Sequence, residues 1–169
     1  MKSDFVEKDV VGHVLFALTT PNRLACKVAL ETGLRIDDVL NIPSHKISLN
    51  SFTITEQKTG KKRKVRLSAA LRRELLSFRT DSYFLFPHRF DENKHRTRQA
   101  VYMDLKRACK AFRIKENFTC HSLRKVFAVD MLKSCGSIKK VSAVLNHDDV
   151  ITTMIYAMAD VLTERINEK

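Results

Sequence analysis

The chain has 169 residues, 44% of them hydrophobic and 30% charged, which is the composition of one ordinary globular domain and excludes a disordered or fibrous chain. No apolar run nears the ~18 residues that a membrane-spanning helix needs. Thirty-one Lys and Arg against 19 Asp and Glu leave a formal charge of +12, and an excess of that size on a small domain points to a polyanionic partner, most often nucleic acid.

Asp4 is placed to cap a first helix, with Glu7 at capping-box spacing and Val10, Val11, Val14, Leu15 and Leu18 along one face. Thr20 before Pro21 starts a second helix, which Gly33 stops, and Asp37 and Asp38 favour the start of a short third one. After Pro43 the apolar period changes from helical to two. Ile47 and Leu49, Phe52 and Ile54, and Val65 and Leu67 predict three short antiparallel strands, with turns at Asn50-Ser51 and Thr59-Gly60. Ser68 caps the next helix. Tyr83 to Pro87 reads as a buried segment or edge strand, and His88 to Arg98 as a mobile polar loop. Helices are then expected from Thr97 to Phe112, from Thr119 to Gly136, from Ser137 to Leu145, and from about Val150 onward. The fold class is α+β, mostly helical, with one small three-stranded antiparallel sheet.

The positive charge is clustered. Eight basic residues and no acid lie between Lys58 and Arg73, and two further runs span Arg89 to Arg98 and Lys106 to Lys115. Lys61, Lys62, Arg63, Lys64, Arg96 and Arg98 are therefore candidate DNA contacts. Cys26, Cys109, Cys120 and Cys135 are widely separated and never paired as C-x-x-C, which suggests neither a disulfide framework nor a zinc ribbon and fits a reducing interior.

Three segments concentrate polar groups: Thr32 to Leu40, Cys120 to Arg124, and Leu145 to Tyr156. They hold the parts for phosphodiester cleavage without a metal. Attack on a phosphodiester builds a second negative charge on its non-bridging oxygens, and two guanidinium groups can hold those oxygens through paired N–H donors. A phenol with a pKa of about 10 needs cationic neighbours or a base to act as nucleophile, and His titrates in the useful range. A Lys in a hairpin can protonate the departing oxygen. Taken alone, Arg35 reads first as a surface residue paired with Asp38.

These segments resemble the tyrosine recombinase (phage integrase) family, in its C-terminal catalytic domain. Thr32-Gly33-Leu34-Arg35 is similar to the first Arg box and Gln57-Lys58-Thr59-Gly60-Lys61 to the β-hairpin Lys. His121-Ser122-Leu123-Arg124 is similar to the H-x-L-R box, and Leu145-Asn146-His147 with Tyr156 to the last box. The resemblance covers essentially the whole chain and implies a catalytic set of Arg35, Lys58, His121, Arg124, His147 and Tyr156. It implies attack by Tyr156 on the scissile phosphate, giving a 3′-phosphotyrosine. Arg35, Arg124 and His147 would hold the phosphate, His121 would take the phenol proton, and Lys58 would protonate the leaving 5′-oxygen.

Neither a metal nor any other cofactor is implied. The partner implied is double-stranded DNA, with a tetramer assembling on paired sites and a monomer when free. The setting implied is the cytoplasm of a bacterium, with the gene carried by the bacterium or a phage. Asn146, Lys125 and Met158 depart from the family's usual Gly, His and His. The family's N-terminal DNA-clamping domain is expected to be absent from residues 1–169, which read as the catalytic domain alone. Two other readings compete: a non-catalytic helix-turn-helix DNA-binding protein built on Ser137 to Tyr156, and a type IB topoisomerase using the same chemistry.

Overall fold

The computed structural model describes residues 3–145. The described chain falls into two compact units, the first ending at Val126 and the second beginning at Phe127.

In the first unit, α1 (Lys8–Phe16) buries Val11, Val14 and Leu15, and α2 (Thr20–Thr32) follows after three residues. Glu7 takes the N-cap position of α1 that the sequence assigned to Asp4. The Asp4 carboxylate instead accepts from the backbone N–H of Asn117 at 2.8 Å, so it pins the N-terminal segment to a distant loop. Pro21 sits in the first turn of α2, where its missing N–H costs nothing. Gly33 closes that helix at φ 65°, and its N–H donates to the Ala29 carbonyl at 2.8 Å. That left-handed turn brings Arg35 to the start of α3 (Ile36–Leu40).

The predicted first strand is not a strand. Ser44–Ser48 forms a 3₁₀ turn, because Pro43 fixes the entry and the Lys46 N–H closes back onto the Pro43 carbonyl. The sheet has two strands, β1 (Ser51–Thr55) and β2 (Lys62–Arg66), paired antiparallel with Phe52 opposite Val65 and Ile54 opposite Arg63. Phe52, Ile54 and Val65 turn to the core, while Lys62, Lys64 and Arg66 face solvent. Gly60, at φ 67°, supplies the positive angle of the connecting turn.

Ser68 caps α4 (Ala69–Phe78) by accepting from the Leu71 N–H, and Thr97 caps α5 (Arg98–Ala111) by accepting from the Ala100 N–H. Residues 88–98, expected as a mobile loop, are held by backbone bonds. The His88 N–H donates to the Lys94 carbonyl, the Arg96 N–H donates to the Phe86 carbonyl, and Pro87 bridges to His95. Leu34, Leu40, Ile42, Ile47, Phe86, Leu105, Phe118 and Leu123 are almost wholly buried in one core that joins all these elements. Each such side chain contributes roughly 1.5–3 kcal/mol of transfer free energy.

Asp104, on the inner face of α5, ties α2 to that core. Its Oδ2 accepts from the N–H and hydroxyl of Thr19, both at 2.9 Å, and from Asn22 Nδ2 at 2.7 Å, while Oδ1 accepts from Arg107. Burial opposes its charge, yet these bonds overcome that and hold its pKa below the usual carboxylate range. The stability it provides is complete above an unfolded-state value near 4 and drains as pH falls through the lower folded value. Asp104→Asn is expected to lower stability at pH 7 by about 2–3 kcal/mol. The difference from wild type, measured by denaturant unfolding at pH 7 and pH 3, should narrow at the lower pH.

α6 (Cys120–Cys135) crosses the boundary between the units at Val126/Phe127. In the second unit its last residues and α7 (Ile138–Leu145) pack Ala128, Val141 and Leu145 together, with Met131 and Leu132 partly covering them. Gly136, at φ 60°, separates the two helices. Among the described residues no helix is long and apolar enough to cross a membrane.

Candidate active site

Four of the six catalytic candidates lie among the described residues, all in the first unit. Gly33 turns the chain so that Arg35 leaves the end of α2. Helical spacing of three puts His121 and Arg124 on one face of α6. Arg124 is 2% exposed, and its Nη1 donates to the Gly33 carbonyl at 2.6 Å, two residues before Arg35. The two guanidinium groups are thus brought together from residues 89 apart in sequence.

Their meeting is visible in their electrostatics. Burial, followed by the positive charges of Arg35 and Arg63, brings the Arg124 pKa down to about 10. His121 is lowered from 6.5 by partial burial and then by Lys125, Arg124, Arg35 and Arg98, so its imidazole is neutral at pH 7. Among the described residues, Arg35, Arg63 and Arg124 lie around the two buried carboxylates Asp38 and Glu56. Three guanidinium groups around two carboxylates are matched to a further anion.

Arg35 does not pair with Asp38. Its Nη1 lies 2.9 Å from Oε2 of Glu56, a fully buried carboxylate at the end of β1. Asp38 is buried too and accepts from the Gln57 N–H at 2.8 Å through Oδ1. Its pKa is raised, first by burial and then by Glu56, against the lowering by the Gln57 N–H and by Arg35 and Arg124. Neither carboxylate was singled out from sequence as part of a site. The missed signal for Glu56 is parity, since it continues the inward positions Phe52 and Ile54. Lys58 sits in the turn between the strands with its side chain in solvent. Lys125, in the place of the family's second His, is buried and donates to the Ser3 carbonyl.

The six candidate DNA contacts divide. Lys61, Lys62, Lys64 and Arg98 are exposed. Arg63 is not a surface cation: strand alternation turns it inward, where Nη1 lies 3.5 Å from Glu56 Oε1 and Nη2 donates to the Thr32 carbonyl. Arg96 is also committed within the fold, donating through Nε to Asn22 Oδ1 at 2.5 Å. Arg66, which was not among the six, shares the exposed face with Lys62 and Lys64. His147 and Tyr156 lie outside the described residues, as do most of the candidate helix-turn-helix and the last predicted helix. Among the described residues no group of three His, Cys, Asp or Glu side chains could hold a metal ion.

The family model described as phage integrase matches residues 5–162. This chain belongs to the phage integrase family. Within that family it is 31% identical over 146 residues to the tyrosine recombinase XerD of Rhizobium meliloti (strain 1021), a match covering 81% of this chain and 46% of the relative. It is 26% identical over 156 residues to the integrase of Escherichia phage P2, covering 92% and 43% respectively. This integrase-family chain spans about half the length of the curated relatives it matches. Its fold is that of a lambda integrase dimer bound to a COC′ core site, with a TM-score of 0.74 at 20% identity over 92% of this chain and 48% of that one. It is also that of the catalytic domain of bacteriophage HP1 integrase, with a TM-score of 0.66 at 21% identity over 93% and 88%. The mostly helical architecture with a small antiparallel sheet is therefore the expected one, with two strands in place of three.

Proposed function

We infer that this chain cleaves and rejoins DNA in site-specific recombination, through a covalent 3′-phosphotyrosine. The observation that carries this reading is Arg124: buried, bonded to the Gly33 carbonyl two residues before Arg35, and lowered to about 10 first by burial and then by the charges of Arg35 and Arg63. A phosphodiester brings one negative charge to that spot and a second develops during attack, so the site favours the transition state over the ground state.

In the proposed step the Tyr156 oxygen forms a bond to phosphorus as the bond to the 5′-oxygen breaks. The phenol proton passes to neutral His121, and Lys58 supplies the proton that the 5′-oxygen takes up. Arg35, Arg124 and His147 hold the non-bridging oxygens. One phosphoester replaces another, so the reverse step with a different 5′-hydroxyl joins new strands and no energy source is consumed. Double-stranded DNA is held through phosphates by Lys61, Lys62, Lys64, Arg66 and Arg98, and cleavage is organised in a tetramer on paired sites from protomers that are monomeric in solution. The reaction belongs to the cytoplasm, on the DNA of a bacterium or a phage.

The test is a pool of end-labelled, nicked DNA duplexes with randomised sequence around the nick. Wild-type chain should give a protease-sensitive adduct that survives denaturation. Tyr156→Phe should give none while still shifting the duplex pool. An adduct that persists in Tyr156→Phe defeats the reading. Strand joining between two captured duplexes, rather than supercoil relaxation by a monomer, separates a recombinase from a topoisomerase.

A further inference from the structure

The turn that carries Lys58 is anchored on both sides of that residue. Before it, the Gln57 N–H donates to Asp38 Oδ1 at 2.8 Å; after it, the Thr59 hydroxyl donates to Glu56 Oε2 at 3.0 Å. The same Oε2 receives Arg35 Nη1 at 2.9 Å. The Glu56 backbone also closes the turn, its N–H donating to the Lys61 carbonyl at 3.0 Å and its carbonyl accepting from the Gly60 N–H at 2.8 Å. One buried carboxylate oxygen therefore joins the guanidinium proposed to hold the phosphate to the turn proposed to deliver the leaving-group proton.

We propose that Glu56 is a positioning residue that sets the distance between Arg35 and the Lys58 turn, so that clamp and proton donor reach one phosphate in register. The proposal rests on the recombinase reading above. It requires a carboxylate: Arg35 and Arg63 supply two cations to it, and its remaining acceptor capacity takes the Thr59 hydroxyl. A Gln amide at the same place presents one oxygen and an NH₂ group that meets an arginine donor with another donor. Glu56 is fully buried. Its effect passes through Arg35 and Thr59.

The decisive measurement compares leaving groups. The probes are duplexes from the adduct-forming pool, made once with an ordinary phosphodiester and once with sulfur replacing the bridging 5′-oxygen. A 5′-thiolate leaves without being protonated, so a defect in proton delivery disappears on the sulfur substrate, whereas a defect in folding or in DNA binding remains. Glu56→Gln is expected to slow adduct formation about 30-fold or more on the ordinary substrate and less than fivefold on the sulfur substrate. Thr59→Val, which removes only the hydroxyl link and leaves the buried ion pair, should show the same pattern with a smaller defect, about five- to tenfold. Lys58→Ala serves as the reference for full rescue.

Equal losses on both substrates in both variants, or no loss in either, overturn the proposal. If wild-type chain forms no adduct with any duplex, the recombinase reading fails first. Amide hydrogen exchange on the free chain then decides the anchoring separately. Glu56→Gln should speed exchange by tenfold or more, relative to core amides of α2 and α5, at Gln57, whose N–H donates to Asp38, at Gly60, whose N–H donates to the Glu56 carbonyl, and at Lys61, whose N–H donates to the Thr59 hydroxyl. Unchanged protection of the turn in both Glu56→Gln and Thr59→Val overturns the proposal on this arm.

Discussion

Arg124→Ala is expected to slow formation of the covalent DNA adduct by about 10²- to 10³-fold with duplex affinity changed far less. The guanidinium is held in place before any DNA arrives, because its Nη1 is fixed on the Gly33 carbonyl and the side chain is buried. A preorganised donor of this kind stabilises developing oxyanion charge by roughly 3–4 kcal/mol, which is the source of the expected factor. Arg124→Lys should recover only part of the loss, since an ammonium keeps the charge but not the planar fork. A second readout follows from the same electrostatics. Arg124 is one of the cations that lower His121, so its removal should move the His121 pKa back up toward 6.5. In Arg124→Ala the His121 imidazole then becomes protonated at higher pH than in wild type, and the acid limb of any residual cleavage shifts upward. Single-turnover adduct assays across pH, with imidazole titration by NMR, measure both. Adduct formation within tenfold of wild type would show that Arg124 is no phosphate ligand.

The helical part of this architecture was legible from sequence because local chemistry decides it. Pro21 and Gly33 bracket α2, and Ser68 and Thr97 cap their helices by the hydrogen bonds their side chains are suited to make. Asp4 misled because a cap competes with tertiary partners, and here the Asn117 N–H holds the carboxylate instead. Ile47 and Leu49 alternate like a strand, yet the backbone closes a 3₁₀ turn behind Pro43 and only Ile47 is buried. The His88–Arg98 loop was read as mobile from its polarity, whereas its order comes from bonds to Phe86 and Asn22 that no local pattern reveals.

In the site, the spacing of His121 and Arg124 on one helix face was readable. That Arg35 approaches Arg124 was an expectation of the family resemblance, since the Gly33 carbonyl that mediates it lies 91 residues from Arg124. The role of Glu56 was written in the parity of β1, but an acid at the end of an apolar face is discounted until its cations are located.

Arg63 is the sharpest case, and substituting it separates charge used for folding from charge used for DNA. Arg63 stands opposite Ile54 on the inner face of the hairpin, ion-paired to Glu56 and donating to the Thr32 carbonyl at the end of α2. Burial lowers its pKa, and Glu56 opposes that lowering. Removing it takes one of two cations from a carboxylate with no access to water. Breaking a buried pair by deleting one partner costs roughly 3–5 kcal/mol; the lower end applies here because Arg35 remains, so Arg63→Leu should lose about 3 kcal/mol. For a chain of this size that is a fall in Tm of about 6–12 °C.

Lys64, its neighbour on the outer face of β2, should behave in the opposite way. Lys64→Ala leaves Tm within about 2 °C, because surface substitutions usually change stability by less than about 0.5 kcal/mol. It should flatten the dependence of log affinity on log salt by about one, the signature of one lost phosphate contact. Arg63→Leu, assayed below its lowered Tm, should keep the wild-type salt slope. Thermal melts and duplex binding between 50 and 200 mM salt read both quantities. A reduced salt slope in Arg63→Leu with an unchanged Tm would return Arg63 to the DNA-facing surface, and with it the charge balance around Glu56 would have to be redrawn.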